Sequence, residues 1–291
     1  MEANLESESS APSVWPFEQP LALSLSVMLE GWTEDSAPGI GPMGNPLKSG
    51  VLDLQARSWA AYGPKVGAWR ILDALKQAGA CAVFYVSGII AENYPDLMRA
   101  IVVAGHDIAA HSFAQNIIPA YQSEAEEAAD LRRCVLALEA ACGVRPKGWL
   151  SPRCTPSVNT SSLLAQSGFL WHADTFDSDT PYMLDTPHGR ILAMPFTMEV
   201  NDMPLYIRYG AQPEAFTQIL GRLLSRWPDL GPRPTCLDIT VHAHVFGRPY
   251  GIIELLDSLR LARRHGASAR LTNHRELASF FSEAFHGQSN S

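Results

Sequence analysis

The chain has 291 residues, 46% of them hydrophobic, and a formal net charge of −8. That length admits one large α/β barrel or two small domains with a sizeable core, and the acidic balance argues against nucleic acid and anionic membrane as main partners. The five cysteines form no C-x-x-C pair, which fits free thiols in a reducing compartment.

Residues 1–14 are acidic and Ser-rich and read as a disordered tail. The start of the chain lacks the basic and apolar regions of a signal peptide. No apolar run approaches the length of a membrane span. The expected location is therefore cytoplasmic. Residues 21–28 alternate and then turn apolar, predicting a buried first strand that ends at Leu29-Glu30-Gly31-Trp32. Residues 33–58 are rich in Gly, Pro and Ser and read as a long loop, of the kind that is often functional. Val66 to Ala78 predicts an amphipathic helix, residues 81–86 a buried strand, Pro95 to Ala104 a helix and Asp107 to Ala110 the next strand. Ser123 to Cys142 predicts a long helix with early acids at its N-terminus and Gly143 as its stop. A strand at 148–150, a short helix at 161–167, a strand at 191–195, a helix at 213–226, a strand at 236–242, a helix at 252–265, a strand at 268–271 and a terminal helix at 276–285 follow. This alternation implies an α/β fold with a mostly parallel sheet, and roughly seven βα units favour a barrel over an open sheet. No internal repeat or linker divides residues 15–285, which read as one domain.

In such folds ligands sit at the carboxyl ends of the strands. The groups that fall there are Glu30, His111 with Gln115, Arg153, Asp177 and Asp179, Glu199 with Asp202, and His242 with His244. Each also has a structural reading. Glu30 can cap a turn, His111 can be a satisfied core histidine, and Arg153 can pair with Asp177 or Asp179. His244 fits a supporting or exposed position, and His274 the surface.

The segment Gly105-His106-Asp107-Ile108-Ala109-Ala110-His111-Ser112 resembles the G-H-E-I-x-x-H motif of the polysaccharide deacetylase superfamily, the NodB-like, carbohydrate esterase family 4 proteins. The segments 148–153, 177–182, 195–203 and 242–249, with Tyr62-Gly63 and residues 67–72, are similar to one branch of it, the metal-independent allantoinases and related deacetylases. The likeness spans roughly residues 15–285, with the motifs in order. It implies a distorted (β/α)7 barrel with the site at the strand ends. The metal-dependent members carry an Asp-Asp pair where this chain has Met28-Leu29-Glu30, and a second His where it has Gln115. One His, one Glu and a neutral amide make a poor zinc site.

The resemblance thus implies a hydrolase of non-peptide carbon–nitrogen bonds acting on a small cyclic amide, ureide or N-acyl compound, with no tightly bound metal or only weak zinc. Glu30, His111, His242 and Arg153 are the expected catalytic residues. Glu30 serves as base if burial raises its pKa, His242 protonates the leaving nitrogen or exchanges roles with Glu30, His111 orients water or substrate, and Arg153 stabilises the oxyanion or holds a carboxylate or ureide. Gln115, Asp179, Glu199, Asp202 and Trp32 are expected to bind substrate. The alternatives are a metal-dependent N-deacetylase of sugars with Glu30 and His111 as ligands, and a catalytically silent ligand-binding barrel. The expected partner is a small-molecule substrate, and relatives imply a homo-oligomer, a dimer or tetramer.

Overall fold

The computed structural model describes residues 15–44, 47, 48, 50–231 and 233–288; the expected tail, residues 1–14, lies outside them. Ten strands form one sheet: β1 (Leu21–Leu29), β2 (Val83–Val86), β3 (Asp107–Ala110), β4 (Gly148–Trp149), β5 (Trp171–Thr175), β6 (Tyr182–Thr186), β7 (Gly189–Pro195), β8 (Val200–Asn201), β9 (Thr235–His242) and β10 (Ala269–Leu271). Around it lie α1 (Leu54–Tyr62), α2 (Ala68–Ala78), α3 (Gly88–Asn93), α4 (Pro95–Val103), α5 (Glu124–Cys142), α6 (Thr160–Gln166), α7 (Ala215–Arg226), α8 (Pro249–Arg264) and α9 (His274–Gln288). The strand order is β6-β7-β5-β4-β3-β2-β1-β9-β8, with β10 beside β1. Every pairing is parallel except the β6–β7 hairpin.

Strand β1 shows why these sequences make a barrel. All nine of its residues are buried, as a parallel strand covered on both faces requires. Leu21, Leu23, Leu25, Val27 and Leu29 join the core beneath the helices. The alternate residues Ala22 and Met28 join a second, interior cluster with Tyr85, Ala109, Trp171 and Met194. Leu277 and Phe281 of α9 pack into that same cluster. The α/β barrel expected from the sequence is thus the fold, with one qualification. The sheet curls without closing its ladder, which ends at β6 on one side and at β8 on the other. Single bonds cross that seam: Asp238 N–H donates to the Thr197 hydroxyl (2.8 Å), and Cys236 N–H donates to the Asp179 carbonyl (2.8 Å).

Three differences from the sequence reading have local causes. Helix α1 begins inside the expected loop, because the Asp53 carboxylate accepts the Ala56 N–H and starts it. Strand β6 is an extra antiparallel edge strand, mostly half-buried, whose turn to β7 lacks an Asn-Gly or Asp-Gly signal. His274 is buried rather than at the surface, stacked on Trp171 with ring centres 5.2 Å apart.

The loop after β9 is seated by glycine. A Cβ on Gly67 would lie 1.8 Å from the Ala243 carbonyl oxygen, and one on Gly247 would lie 2.2 Å from the same atom. The α1–α2 junction therefore touches the backbone that carries His242 and His244. Among the described residues, no helix is long and apolar enough to cross a membrane. The variant Gly67→Ala should lose about 2 kcal/mol or more of stability in urea unfolding, by forced displacement of backbone. A loss within about 0.5 kcal/mol of zero, the range of a neutral surface change, would contradict this seating.

Candidate active site

The register of the sheet gathers the site. Met28 pairs with His242 across β1 and β9, Leu29 with Val86, and Val86 with Ala110. The next residues, Glu30 and His111, therefore emerge at the same rim as the end of β9. There the Glu30 carboxylate meets three imidazoles. His111 Nε2 lies 3.6 Å from Oε1, His242 Nε2 3.9 Å from Oε1, and His244 Nε2 3.8 Å from Oε2. The Glu30 side chain is only 11% exposed, and the histidines are more buried still. These separations exceed a direct hydrogen bond. A water or substrate atom set against Glu30 would also reach the ring nitrogens.

Each imidazole is held from behind. His242 Nδ1 lies 2.6 Å from Asp202 Oδ1, and its backbone N–H donates to Oδ2 at 2.7 Å. Asp202 follows β8 and is fully buried. His111 Nδ1 lies 2.6 Å from the Leu150 carbonyl. Since a carbonyl only accepts, Nδ1 carries a hydrogen and Nε2 faces Glu30. The backbone after His111 turns through the left-handed Ser112 (φ 59°). Asp130 of α5 fixes that turn, accepting the Ser112 hydroxyl and the Phe113 N–H. His244 lies edge-on to Trp59 at 4.4 Å and to Trp32 at 5.9 Å.

The charges follow from this packing. Burial alone would raise the Glu30 pKa. The charge of His242, and after it the nearby imidazoles of His111 and His244, outweigh it and bring it to about 2. Burial would depress His242, but Asp202 and Glu30 raise it above the ordinary 6.5. Burial dominates at His244 and lowers it to about 4. Glu30 is thus a firmly ionised carboxylate, not the proton-hungry base that burial alone suggests.

The remaining expected residues fall in different places. Trp32 is at the site. Gln115 is buried but spent on the backbone: its Nε2 donates to the Ser87 hydroxyl (3.0 Å) and the His111 carbonyl (3.2 Å), and its N–H to the Gly31 carbonyl (2.7 Å). It positions Glu30 and His111. Asp202, expected on substrate N–H groups, gives both oxygens to His242. Arg153 is exposed on a left-handed turn (φ 57°) after β4. Glu199 is exposed and accepts the N–H of Met198 (2.9 Å). Asp179 is exposed, with its carbonyl at the start of β9 rather than the end. His244 belongs to the centre, and a histidine two residues beyond a strand-end histidine was the available signal. Asp174 was not foreseen. It is buried, accepts the Ser151 N–H and hydroxyl (2.7 and 2.8 Å), and burial raises it to about 6.

The zinc set of the family's metal-dependent members does not fit here. The position of one acid is Met28, which packs in the apolar interior, and the amide of Gln115 is turned onto Ser87 and His111. Among the described residues, no group of three or more His, Cys, Asp and Glu has metal-binding geometry.

Comparisons with known proteins converge on one family. Residues 62–170 match the family model for polysaccharide deacetylase. The solved structure of PuuE allantoinase aligns with a TM-score of 0.82 at 27% identity, covering 94% of this chain and 92% of that one. A protein of Pseudomonas aeruginosa PAO1 described as a probable polysaccharide deacetylase aligns at 0.81 and 27%, covering 91% and 92%. Chitin deacetylase 1 of Saccharomyces cerevisiae is 30% identical over 40% of this chain and 38% of its own length.

The electrostatics set opposite pH signatures. His242 holds its proton more tightly folded than unfolded, so its pairing stabilises below 6.5 and fades as pH rises past the raised value. Glu30, lowered from 4.5 to about 2, stabilises above 4.5, and that contribution is lost as pH falls towards 2. In an NMR titration His242 should titrate above 6.5 and His244 near 4. Asp202→Asn should lower His242 by about one to three units, the usual effect of losing an adjacent opposite charge. A parent His242 that titrates below 6.5 would contradict this arrangement.

Proposed function

The chain belongs to the polysaccharide deacetylase superfamily, and from that membership we propose a hydrolase that adds water to the carbonyl of a small cyclic amide, ureide or N-acyl compound without a tightly held metal. The observation that carries this reading is the ionised Glu30 among three imidazole Nε2 atoms, one of them on an imidazole paired with buried Asp202. Hydrolysis of a carbon–nitrogen bond needs a base for the water and an acid for the departing nitrogen. Here the environment separates two imidazoles into those roles.

His111 is the base. Its Nδ1 hydrogen is committed to the Leu150 carbonyl, leaving Nε2 to take a proton from water as the oxygen attacks the carbonyl carbon. Glu30 then stands beside the imidazolium that forms and stabilises it. His242 is the acid. Asp202 and Glu30 keep it protonated, and its charge first offsets the developing oxyanion. When the intermediate collapses and the C–N bond breaks, Nε2 gives its proton to the nitrogen. The product leaves, as one ring-opened molecule from a cyclic substrate or as acid and amine from an N-acyl one, and proton exchange with solvent resets both rings. His244, neutral and wedged by Trp32 and Trp59, holds the third side of the carboxylate and limits water around it.

The 27% identity to PuuE allantoinase over 94% of the chain favours cyclic ureides over polymers. Five free thiols among the described residues fit a reducing, cytoplasmic setting. The test is turnover of hydantoin, allantoin and N-acetylglucosamine by the purified full chain, before and after treatment with a chelator. Ring opening that survives chelation is expected, with kcat about 10²–10⁴ lower in His242→Ala, the usual size of a general acid term. Action on the N-acetyl sugar alone, abolished by chelator and restored by zinc, would overturn the reading.

A further inference from the structure

A cleft beside the site has a charge opposite to that of the protein. It encloses about 850 Å³ and is lined by Trp59, Tyr62, Tyr206, Arg57, Lys65 and Arg248 among others. That volume lies within the range of small-molecule sites. Its lining contains three cations and no carboxylate, in a chain of net charge −8. Trp59 joins the cleft to the catalytic cluster, since its ring also lies 4.4 Å from that of His244.

The cations are positioned rather than scattered. Arg248 is half-buried, with its guanidinium 4.1 Å above the Tyr62 ring. It is close enough to His244 for its charge to act on that ring, and Arg208, next to the cleft residue Ile207, acts in the same way on His242. Among the described residues, no ion pair to an acid is formed by Arg57, Lys65, Arg208 or Arg248. Arg248 in particular is a partly desolvated cation over an aromatic face, open to a planar anion through paired N–H donors.

We propose that this cleft is a specificity subsite for a carboxylate carried by the substrate, with Arg248 as its principal partner and Arg57 and Lys65 supplying the surrounding field. The substrate is then an anionic cyclic amide or N-acyl compound whose reacting carbonyl reaches Glu30 while its carboxylate lies past Trp59. The position of the reacting group rests on the hydrolase reading above; the recognition of the anion does not.

The experiment compares hydantoin-5-acetate with the neutral 5-ethylhydantoin, by calorimetric titration and by turnover. The proteins are the parent, Arg248→Gln, and the doubly exposed Arg57→Gln/Lys65→Gln. The parent should bind the acetate at least about tenfold more tightly, as expected for a charge-assisted hydrogen bond. That preference should shrink with added salt and fall below about threefold in Arg248→Gln. The double variant, which leaves the Tyr62 stack intact, should weaken the acetate by a larger factor than the neutral compound. Equal affinity for the two compounds in the parent, no binding of either, or a preference that survives both variants would overturn the proposal. Charge-selective binding without turnover would uphold this subsite while removing the hydrolase reading.

Discussion

A carboxylate taken out of water is tolerated only where positive charge and hydrogen bonds replace its hydration. Glu30 is that carboxylate, and the rest of the site follows from satisfying it. Three imidazoles surround it with no guanidinium or ammonium among the ion-pair partners. Imidazoles are the one class of partner whose charge can be set locally near neutral pH. The protein uses this freedom unequally. A buried aspartate raises the hold of His242 on its proton, burial lowers that of His244, and a backbone carbonyl fixes the orientation of His111. One anion with differently supported rings is the arrangement that the proposed acid–base chemistry needs, built without altering the chemistry of any single side chain.

The barrel serves this device through register and through backbone contact. The pairing of Met28 with His242 brings the ends of β1 and β9 level. Close approach at Gly67 and Gly247 then folds the segment after β9 inward, so that His244 turns back towards Glu30. Ser87 and Gln115 tie the backbone of Gly31 to that of His111. These are buried polar groups bonded to one another, which hold a geometry rather than merely stabilise it. Asp130 does the same work one layer further out, on a turn that contains the left-handed Ser112.

Much of this was legible in the sequence, and the limits are physical. Buried parallel strands write themselves as apolar runs, so β1, β2 and β9 were readable, and together with β3 they marked Glu30, His111 and His242 as strand-end residues. Strand β6 was not, because it is a half-buried edge with an unsigned turn. The centrality of His244 depends on a glycine contact between residues 67 and 243, which no local pattern records. Asp202 was visible as a strand-end acid, but whether such an acid faces substrate or supports a histidine depends on the pairing of β8 with β9. Arg153, Asp179 and Glu199 share the strand-end signature yet are exposed, since position after a strand fixes a rim and not a direction.

The central claim is that the negative charge of Glu30 sets the protonation of its histidines and hence the reaction. The direct test is the pH–rate profile of the proposed cyclic amide opening by Glu30→Gln beside the parent. The account predicts a rate at least about tenfold lower and an alkaline limb moved to lower pH, because His242 loses one of the charges that hold its proton. An unchanged rate with the limb in its original place would contradict it.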